Sequence, residues 1–584
     1  MNVKIDNNVK TPYTIIHGEN CSPSENTAAK EFQRYTEKIF GVTIPVLTDK
    51  EPKSEYEIII GKTNREENNC FIIIDRKELG NDGFIIKKTD NNLFILGGEK
   101  RGTLYGVYTF LENFLGCRWY THDVTKTPVK KEFTIPEKID IKEIPALENR
   151  DVYWATSWDT DWSVVQKVNG CISRKIPEEL GGGISYAGQF VHSFNSLIPP
   201  SEYFKEHPEY YAEINGKRKH EWAQLCLSNP EVLRLAIESV LKLFRKNPDA
   251  TICSVSQNDS GEDGGYCQCE KCNAIYKEEG SQSGAVIHFV NAIADAVKDE
   301  FPNKYIDTLA YRYTRKPPKI VKPRDNVIVR LCSIECCFSH PIEECDNTEV
   351  KSMKDENFLS DLQKWSQLSK NLYIWDYTTN YKYFLAPFPN FQVLVKNIQC
   401  FIKNNARGIF EQGNQQEHKN GEFGELRAYL LAKLLWNPNA DIDSHMDDFL
   451  EGYYGKGWKN IREYIDYITE KAAKNHFGIY SEPDIIINLS PEEIKKCDNL
   501  WDEAETKAKD EDELNRIKRS RLQLEFYKLI CEKGEYANAT TKELYDARKI
   551  FYNNFIGLGV KYLHEGDPYT DKPDFKKPII KWNW

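Results

Sequence analysis

Ala250–Ser260 reads A-T-I-C-S-V-S-Q-N-D-S. Thr251, Ile252 and Val255 form a short β-branched run that stops at Gln257, Asn258 and Asp259, with Gly261, Gly264 and Gly265 close behind. That is a buried strand giving way to a loop dense in hydrogen-bonding groups. In a parallel barrel, such endings lie at the C-terminal mouth, where catalytic groups gather. The competing reading is local, since Asx residues cap turns by default. Recurrence of the pattern along the chain decides for the first.

From Ala146 onward the pattern repeats. Strand-like runs with polar or aromatic endings span Glu148–Trp154, Ile184–His192, Ala223–Leu227, Ala250–Asp259, Tyr305–Tyr311, Asn326–Glu335, Asn371–Tyr377 and Arg407–Glu411. Helical patterns lie between them at Glu231–Arg245, Ala285–Phe301, Asn357–Ser369 and Phe391–Asn404. This alternation predicts an α/β protein with a central (β/α)8 TIM barrel over residues 142–424.

Two flanking regions read differently. Residues 1–141 suggest a small N-terminal α/β domain. It has a helix at Ala28–Phe40 capped by Gly41, strands at Tyr56–Ile60, Phe71–Ile74, Phe84–Ile86 and Leu93–Leu96, and a helical face through Arg101–Tyr120. Residues 425–584 lose the strand signal and predict a C-terminal helical domain, ending in an extended Pro- and Lys-rich segment from Asp567. A chain of 584 residues is too long for one core, which fits three domains.

Composition narrows the function. Hydrophobic residues make up 40% and charged residues 29%, as in a soluble globular protein. The net charge of −11 and the lack of a basic tract argue against a nucleic-acid partner. No apolar run reaches the ~20 residues of a membrane span. The N-terminus M-N-V-K-I-D-N-N-V-K carries no signal peptide as written, which suggests the cytoplasm; a chain with its signal peptide removed would read the same. The 12 Trp and 32 Tyr either fill a large core or stack on sugar faces.

The expected strand ends supply Trp154, His192, Gln257, Asn258, Asp259, Tyr311, Glu335, Trp375, Asp376, Tyr377 and Glu411. Carboxylates converging with aromatics suit glycosidic cleavage, in which one acid protonates the leaving oxygen and a second group stabilises or attacks the anomeric carbon. Asp259 and Glu335 are the first candidates, then Glu411, with Asn258 as their partner. Glu335 has a structural alternative, an ion pair with Arg312 or Arg330. Trp154, His192, Gln257, Tyr311, Trp375, Asp376 and Tyr377 are the expected substrate contacts.

Cys267, Cys269 and Cys272, in C-Q-C-E-K-C, have metal-ligand spacing but are three where zinc wants four. Cys253, Cys336, Cys337 or Cys345 could supply the fourth. Without a second knuckle, the 16 cysteines read as buried free thiols, with no metal or cofactor. Gly181-Gly182-Gly183 precedes a strand, which rules out the common phosphate loops, and no G-x-S-x-G elbow is present.

Arg101–Tyr120, with the helix A-A-K-E-F-Q-R-Y-T-E-K-I-F-G, resembles the domain that precedes the barrel in family 20 β-hexosaminidases and family 67 α-glucuronidases. H-S-F (192–194), Y-F-K-E-H-P-E-Y-Y (203–211), Q-L-C-L-S-N-P (224–230), V-S-Q-N-D (255–259), Y-C-Q-C-E-K-C and L-L-W-N-P (434–438) resemble the DUF4838 type associated with glycoside hydrolase family 163. The resemblance implies a retaining endo-β-N-acetylglucosaminidase acting on N-glycans, with the substrate's 2-acetamido group as nucleophile. It also implies an oligosaccharide or glycoprotein partner and makes Asn258-Asp259 the acid and orienting pair. Family 20 enzymes carry Asp-Glu there, so the departure shifts weight toward Glu335 or Glu411 as proton donor. The alternatives are an exo-acting hexosaminidase, an α-glucuronidase-like enzyme with Arg312 or Arg315 in a basic pocket, and an inactive carbohydrate-binding protein.

Overall fold

The computed structural model describes residues 4–6, 11–66, 74–260, 264–345, 358–566, 568 and 573–579. The expected strand at Phe71–Ile74, apart from Ile74 itself, lies outside these residues, as do Gly261, Asn357 and most of the chain from Asp567.

The N-terminal region is a mixed sheet of β1 (Thr14–His17), β2 (Val46–Thr48), β3 (Glu57–Ile60), β4 (Phe84–Thr89), β5 (Asn92–Gly97) and β6 (Asp140–Glu143), in the order β6-β4-β5-β3-β1-β2. Helix α1 (Pro23–Phe40) starts at a Ser22/Glu25 capping box and stops at Gly41, whose φ of 68° needs no Cβ penalty. It buries Phe32, Ile39 and Phe40 on one face. Helix α2 (Gly102–Phe110) is shorter than the sequence suggests, because one π-helical turn, Leu111–Leu115, follows and Gly116 ends it at φ 83°. A Cβ on Gly97 would lie 1.9 Å from the Thr103 nitrogen, so that glycine is what lets α2 lie against β5.

The central sheet is parallel and curled. Its strands are β7 (Asn149–Tyr153), β8 (Ile252–Ser254), β9 (Tyr305–Ala310), β10 (Val327–Cys332), β11 (Leu372–Tyr377) and β12 (Ala406–Gln412), in the order β7-β12-β11-β10-β9-β8. Helices α3 (Pro230–Lys246), α4 (Glu270–Glu279), α5 (Ser283–Glu300), α6 (Phe358–Leu368), α7 (Phe391–Lys403) and α8 (Gly424–Trp436) alternate with them. Two expected strands are corrected. Ile184–His192 makes only single parallel bridges, Ile184 to Gly170 and Tyr186 to Ile252. Gly188 at φ 87° turns the chain out of extended geometry there. Ala223–Leu227 is outside the parallel sheet and pairs in strand fashion through an antiparallel bridge, Leu225 to Tyr211.

Parallel register puts matching residues on one face. Asp307, Arg330 and Asp151 share a face with Tyr153, Leu309, Cys332, Trp375, Tyr377, Phe410 and Gln412. The charged members are paired and buried: Arg330 to Asp307 at 3.0 Å, and Arg174 to Asp151 at 3.1 Å. The aromatic members stand nearer the C-terminal ends.

After α8 come α9 (Ile442–Tyr454), α10 (Trp458–Ala472), α11 (Pro491–Thr506), α12 (Glu511–Ile530) and α13 (Thr541–Gly557). The chain then returns to the loop after β12. The buried Glu417 carboxylate accepts from the Lys561 and Tyr562 amides at 2.5 and 3.4 Å. The Phe384 amide donates to the Leu563 carbonyl at 2.7 Å, and the Gly566 amide to Gln416 at 3.0 Å. Among the described residues no helix is long and apolar enough to cross a membrane.

Candidate functional site

A cavity of 280 Å³ opens at the C-terminal ends of the parallel strands. Tyr153, Trp375, Tyr377, Phe410 and Gln412 form its sheet side. His192, Asp259 and Tyr311 come from loops, and Tyr381, Gln415, Ile479, Tyr480 and Glu565 close it from the C-terminal side. Trp375 stacks near-parallel on Phe190 and Tyr377 at centroid distances of 5.6 and 6.2 Å, giving a rigid aromatic wall.

Two carboxylates reach this space. Asp259 is exposed and makes no hydrogen bond or ion pair with a described residue. Glu565 comes from the returning segment. Partial burial and the negative charge of Asp259 both raise its carboxyl above the ordinary range, and the Gln415 amide only partly offsets them. A carboxyl raised in this way beside a second carboxylate is the pairing that acid–base cleavage uses. Glu565 was missed by the sequence reading because no motif marks a residue that reaches the barrel from a distant segment, and Gln415 because it lies three residues past the end of β12.

His192 adopts a left-handed φ of 54°, uncommon for a non-glycine residue. Its Nδ1 lies 2.8 Å from the Gln257 carbonyl oxygen. That bond assigns the proton to Nδ1 and leaves Nε2 as an acceptor in the neutral ring. Tyr311 is held beside it, its hydroxyl accepting from Arg312 at 2.9 Å.

Other expected site residues lie elsewhere. The buried Asn258 has its amide fully committed. Its Nδ2 donates to Asn195 Oδ1 at 3.0 Å and to the Ala223 carbonyl at 2.9 Å, and its Oδ1 accepts from the Asn195 amide at 3.0 Å. These bonds tie the Asp259 loop to Asn195 and to the Ala223 carbonyl. Gln257 is buried and ties the end of β8 to the Tyr311 carbonyl and Thr314. Trp154 is 1% exposed and donates to Thr378. Glu335 lies off the cavity in an ion pair with Arg315 at 3.2 Å, neither of the two arginines expected. Arg315 also holds Asp361 at 3.1 Å.

Asp376 and Glu411 face each other on β11 and β12, but on the side of the sheet opposite Trp375 and Phe410. Neither lines the cavity. The physical reason is pleat: one position along a strand reverses the face. The same parity places Trp154 in the core and its neighbour Tyr153 at the site.

The cysteine run also needs correction. Its fourth companion is Cys226, and not Cys253, Cys336, Cys337 or Cys345. A separate group brings together Cys337, His340, Cys345 and His476.

The loop after Asp259 continues through Gly264 and Gly265 into the wall of a larger groove of 1330 Å³. Trp222, 79% exposed and at φ 52°, lines this groove with Tyr266 and Tyr313.

Comparison with known proteins agrees with this architecture. The family model described as domain of unknown function DUF4838 matches residues 119–466. The glycosyl hydrolase family 67 N-terminus matches residues 2–110. A family GH115 4-O-methyl-α-glucuronidase with specificity for decorated arabinogalactans superposes with a TM-score of 0.56 at 11% identity, covering 97% of this chain and 82% of that one. A GH138 enzyme targeting pectin rhamnogalacturonan II superposes at 0.50 and 11% identity, covering 94% and 92%. At such identities the likeness is one of fold. The curated proteins gave no match.

Proposed function

The chain belongs to the DUF4838 family, and we propose that it is a glycoside hydrolase that works between Asp259 and Glu565. The observation that carries this is the convergence of those two carboxylates on a monosaccharide-sized, aromatic-walled cavity. We read the sheet as a (β/α)8 barrel whose second and third positions are reduced to the bridges at Gly170, Ile184 and Tyr186.

The lining favours a neutral N-acetylated sugar over a uronic acid. No Arg or Lys lines the cavity among the described residues. Arg312 is held by Tyr311, and Arg315 by Glu335 and Asp361. A sugar carboxylate would find no Arg or Lys in direct reach in that lining. In the proposed reaction Glu565 protonates the glycosidic oxygen. The substrate's acetamide oxygen attacks the anomeric carbon, and Asp259 accepts the acetamide N–H. Water then opens the intermediate, with Glu565 as base. The groove beside Trp222 supports endo action, because its aromatics offer stacking faces for further sugars.

The test is mass spectrometry of products from a complex N-glycoprotein, an aryl β-N-acetylglucosaminide and an aldouronic-acid oligosaccharide, with Asp259→Asn and Glu565→Gln in parallel. Whole glycans released with one N-acetylglucosamine left on the protein support the endo reading. Single sugars alone replace it with exo action, and aldouronic-acid cleavage restores the glucuronidase alternative. Binding without turnover in every case makes the protein a carbohydrate-binding module.

A further inference from the structure

The side-chain sulfurs of Cys226, Cys267, Cys269 and Cys272 all lie within 4.8 Å of one another, and those of Cys226 and Cys269 are 3.8 Å apart. Tetrahedral zinc with Zn–S bonds of ~2.3 Å separates its sulfurs by ~3.8 Å. We propose that these four thiolates hold a structural zinc ion.

The surroundings suit bound thiolates. The four residues form no disulfides. Cys269 is the N-cap of α4 and Cys272 lies in its first turn, where the helix dipole favours negative sulfur. The Glu213 amide donates to the Cys267 sulfur at 3.3 Å, and the Arg218 guanidinium lies 3.8 Å from it.

Stability argues the same way. The apolar cluster here has only Ala212, Ala223 and three of the four cysteines fully buried. That is a small core for a segment whose regular structure is a hairpin of two-residue strands, Glu213–Ile214 and Lys217–Arg218. A metal commonly replaces the missing core in such segments.

The position gives the ion a task. Gln224, two residues before Cys226, donates from Nε2 to the Asn258 carbonyl at 3.0 Å, to Ser260 at 2.8 Å and to the Gly264 carbonyl at 2.9 Å. Its Oε1 accepts from the Asn258 amide at 2.8 Å. The ligands thus flank the residue that grips the loop carrying Asp259.

A second, independent observation points to another zinc. The ligand atoms of Cys337, His340, Cys345 and His476 also lie within 4.8 Å of one another. His340 Nδ1 is 3.5 Å from the Cys337 sulfur, and His476 Nδ1 is 3.6 Å from the Cys345 sulfur. The far nitrogen of His340 lies 3.0 Å from the Ala473 carbonyl, the outer bond that orients metal-binding imidazoles. We infer a Cys2His2 site joining the loop after β10 to the segment that delivers Ile479 and Tyr480 to the cavity.

The experiment is elemental analysis of the untagged full chain. Two zinc ions per chain are expected, falling to one in Cys272→Ser, to one in Cys345→Ser and to none in the double variant. Growth on cobalt should give thiolate-to-metal charge transfer and tetrahedral d–d bands in the wild type, which needs no variant to fold. Untagged protein that is zinc-free as purified and takes up no zinc on reconstitution overturns both sites. A single zinc lost in Cys272→Ser overturns the second site, and one lost only in Cys345→Ser overturns the first. If the variants fail to fold, the cobalt spectrum of the wild type decides between an all-sulfur and a mixed sulfur–nitrogen set.

Discussion

Asp259 with Glu565, and Asp376 with Glu411, are two pairs of carboxyls held by one fold. The first pair opens onto a cavity. The second is sealed on the other face of β11 and β12, with Ser333 donating to Asp376 and, among the described residues, no hydrogen bond on either Glu411 oxygen. Burial alone pushes Asp376 up to about 6, and burial with the charge of Asp376 pushes Glu411 well above the carboxylate range. A raised carboxyl is therefore no mark of catalysis by itself. It becomes one where substrate and water can reach it.

Substitution can break or sharpen that contrast. The largest effect is expected at the open pair. Glu565→Gln should lower kcat by ~10²–10⁴, the usual value of a positioned acid. It should also remove the alkaline limb of the kcat/KM profile while leaving thermal unfolding unchanged. Asp259→Asn should lose a comparable factor. An equal loss in Glu411→Gln, with its stability intact, would reverse the assignment.

A smaller effect, on stability, is expected at the sealed pair. The folded state keeps a proton on Asp376 above its ordinary value of 3.8, so folded protein binds more protons than unfolded between pH 4 and 6. Stability is then lost as pH rises through that window, by ~3 kcal/mol for a shift of about two units. Calorimetry should find the wild type more stable near pH 4.5 than near pH 7. Glu411→Met, which removes the uncompensated carboxyl, should raise the melting temperature at pH 7 and flatten this dependence, with turnover unchanged. A flat wild-type profile between pH 4.5 and 7 would contradict the burial argument.

The smallest effect is expected at Glu335. Its ion pair with Arg315 is partly solvated, the Glu335 side chain being 26% exposed. Such pairs are worth ~0–1 kcal/mol. Glu335→Gln should change kcat/KM by no more than a few-fold, and a hundred-fold loss would return Glu335 to the chemistry.

Much of the fold was legible because its signals are local. Ser22, Glu25 and Gly41 bracket α1 in the sequence as they do in space. Six of the eight expected central strands have counterparts in β7 to β12, five of them with ends shifted by a few residues and Ala250–Asp259 keeping only its Ile252–Ser254 portion. Strand positions built from single bridges carry no periodic signal, so Gly170 was unreadable and Ala223–Leu227 took its place. At the site the limit was parity. The chain marks where β7, β11 and β12 end, but not which of two adjacent side chains turns inward, so Trp154, Asp376 and Glu411 lie off the cavity that Tyr153, Trp375, Tyr377 and Gln412 line. Glu565, Cys226 and His476 were hidden for another reason: each meets its partners only after long chain excursions.

The seating of Glu565 also orders events during synthesis. Residues 259 and 565 lie about 300 positions apart, so at ~5–20 residues per second some ~15–60 s separate their emergence from the ribosome. Once β12 has emerged, the aromatic wall of β7, β11 and β12 is complete in sequence before the carboxyl that closes it. A nascent chain in this state would present the open aromatic cleft before its second carboxyl arrives.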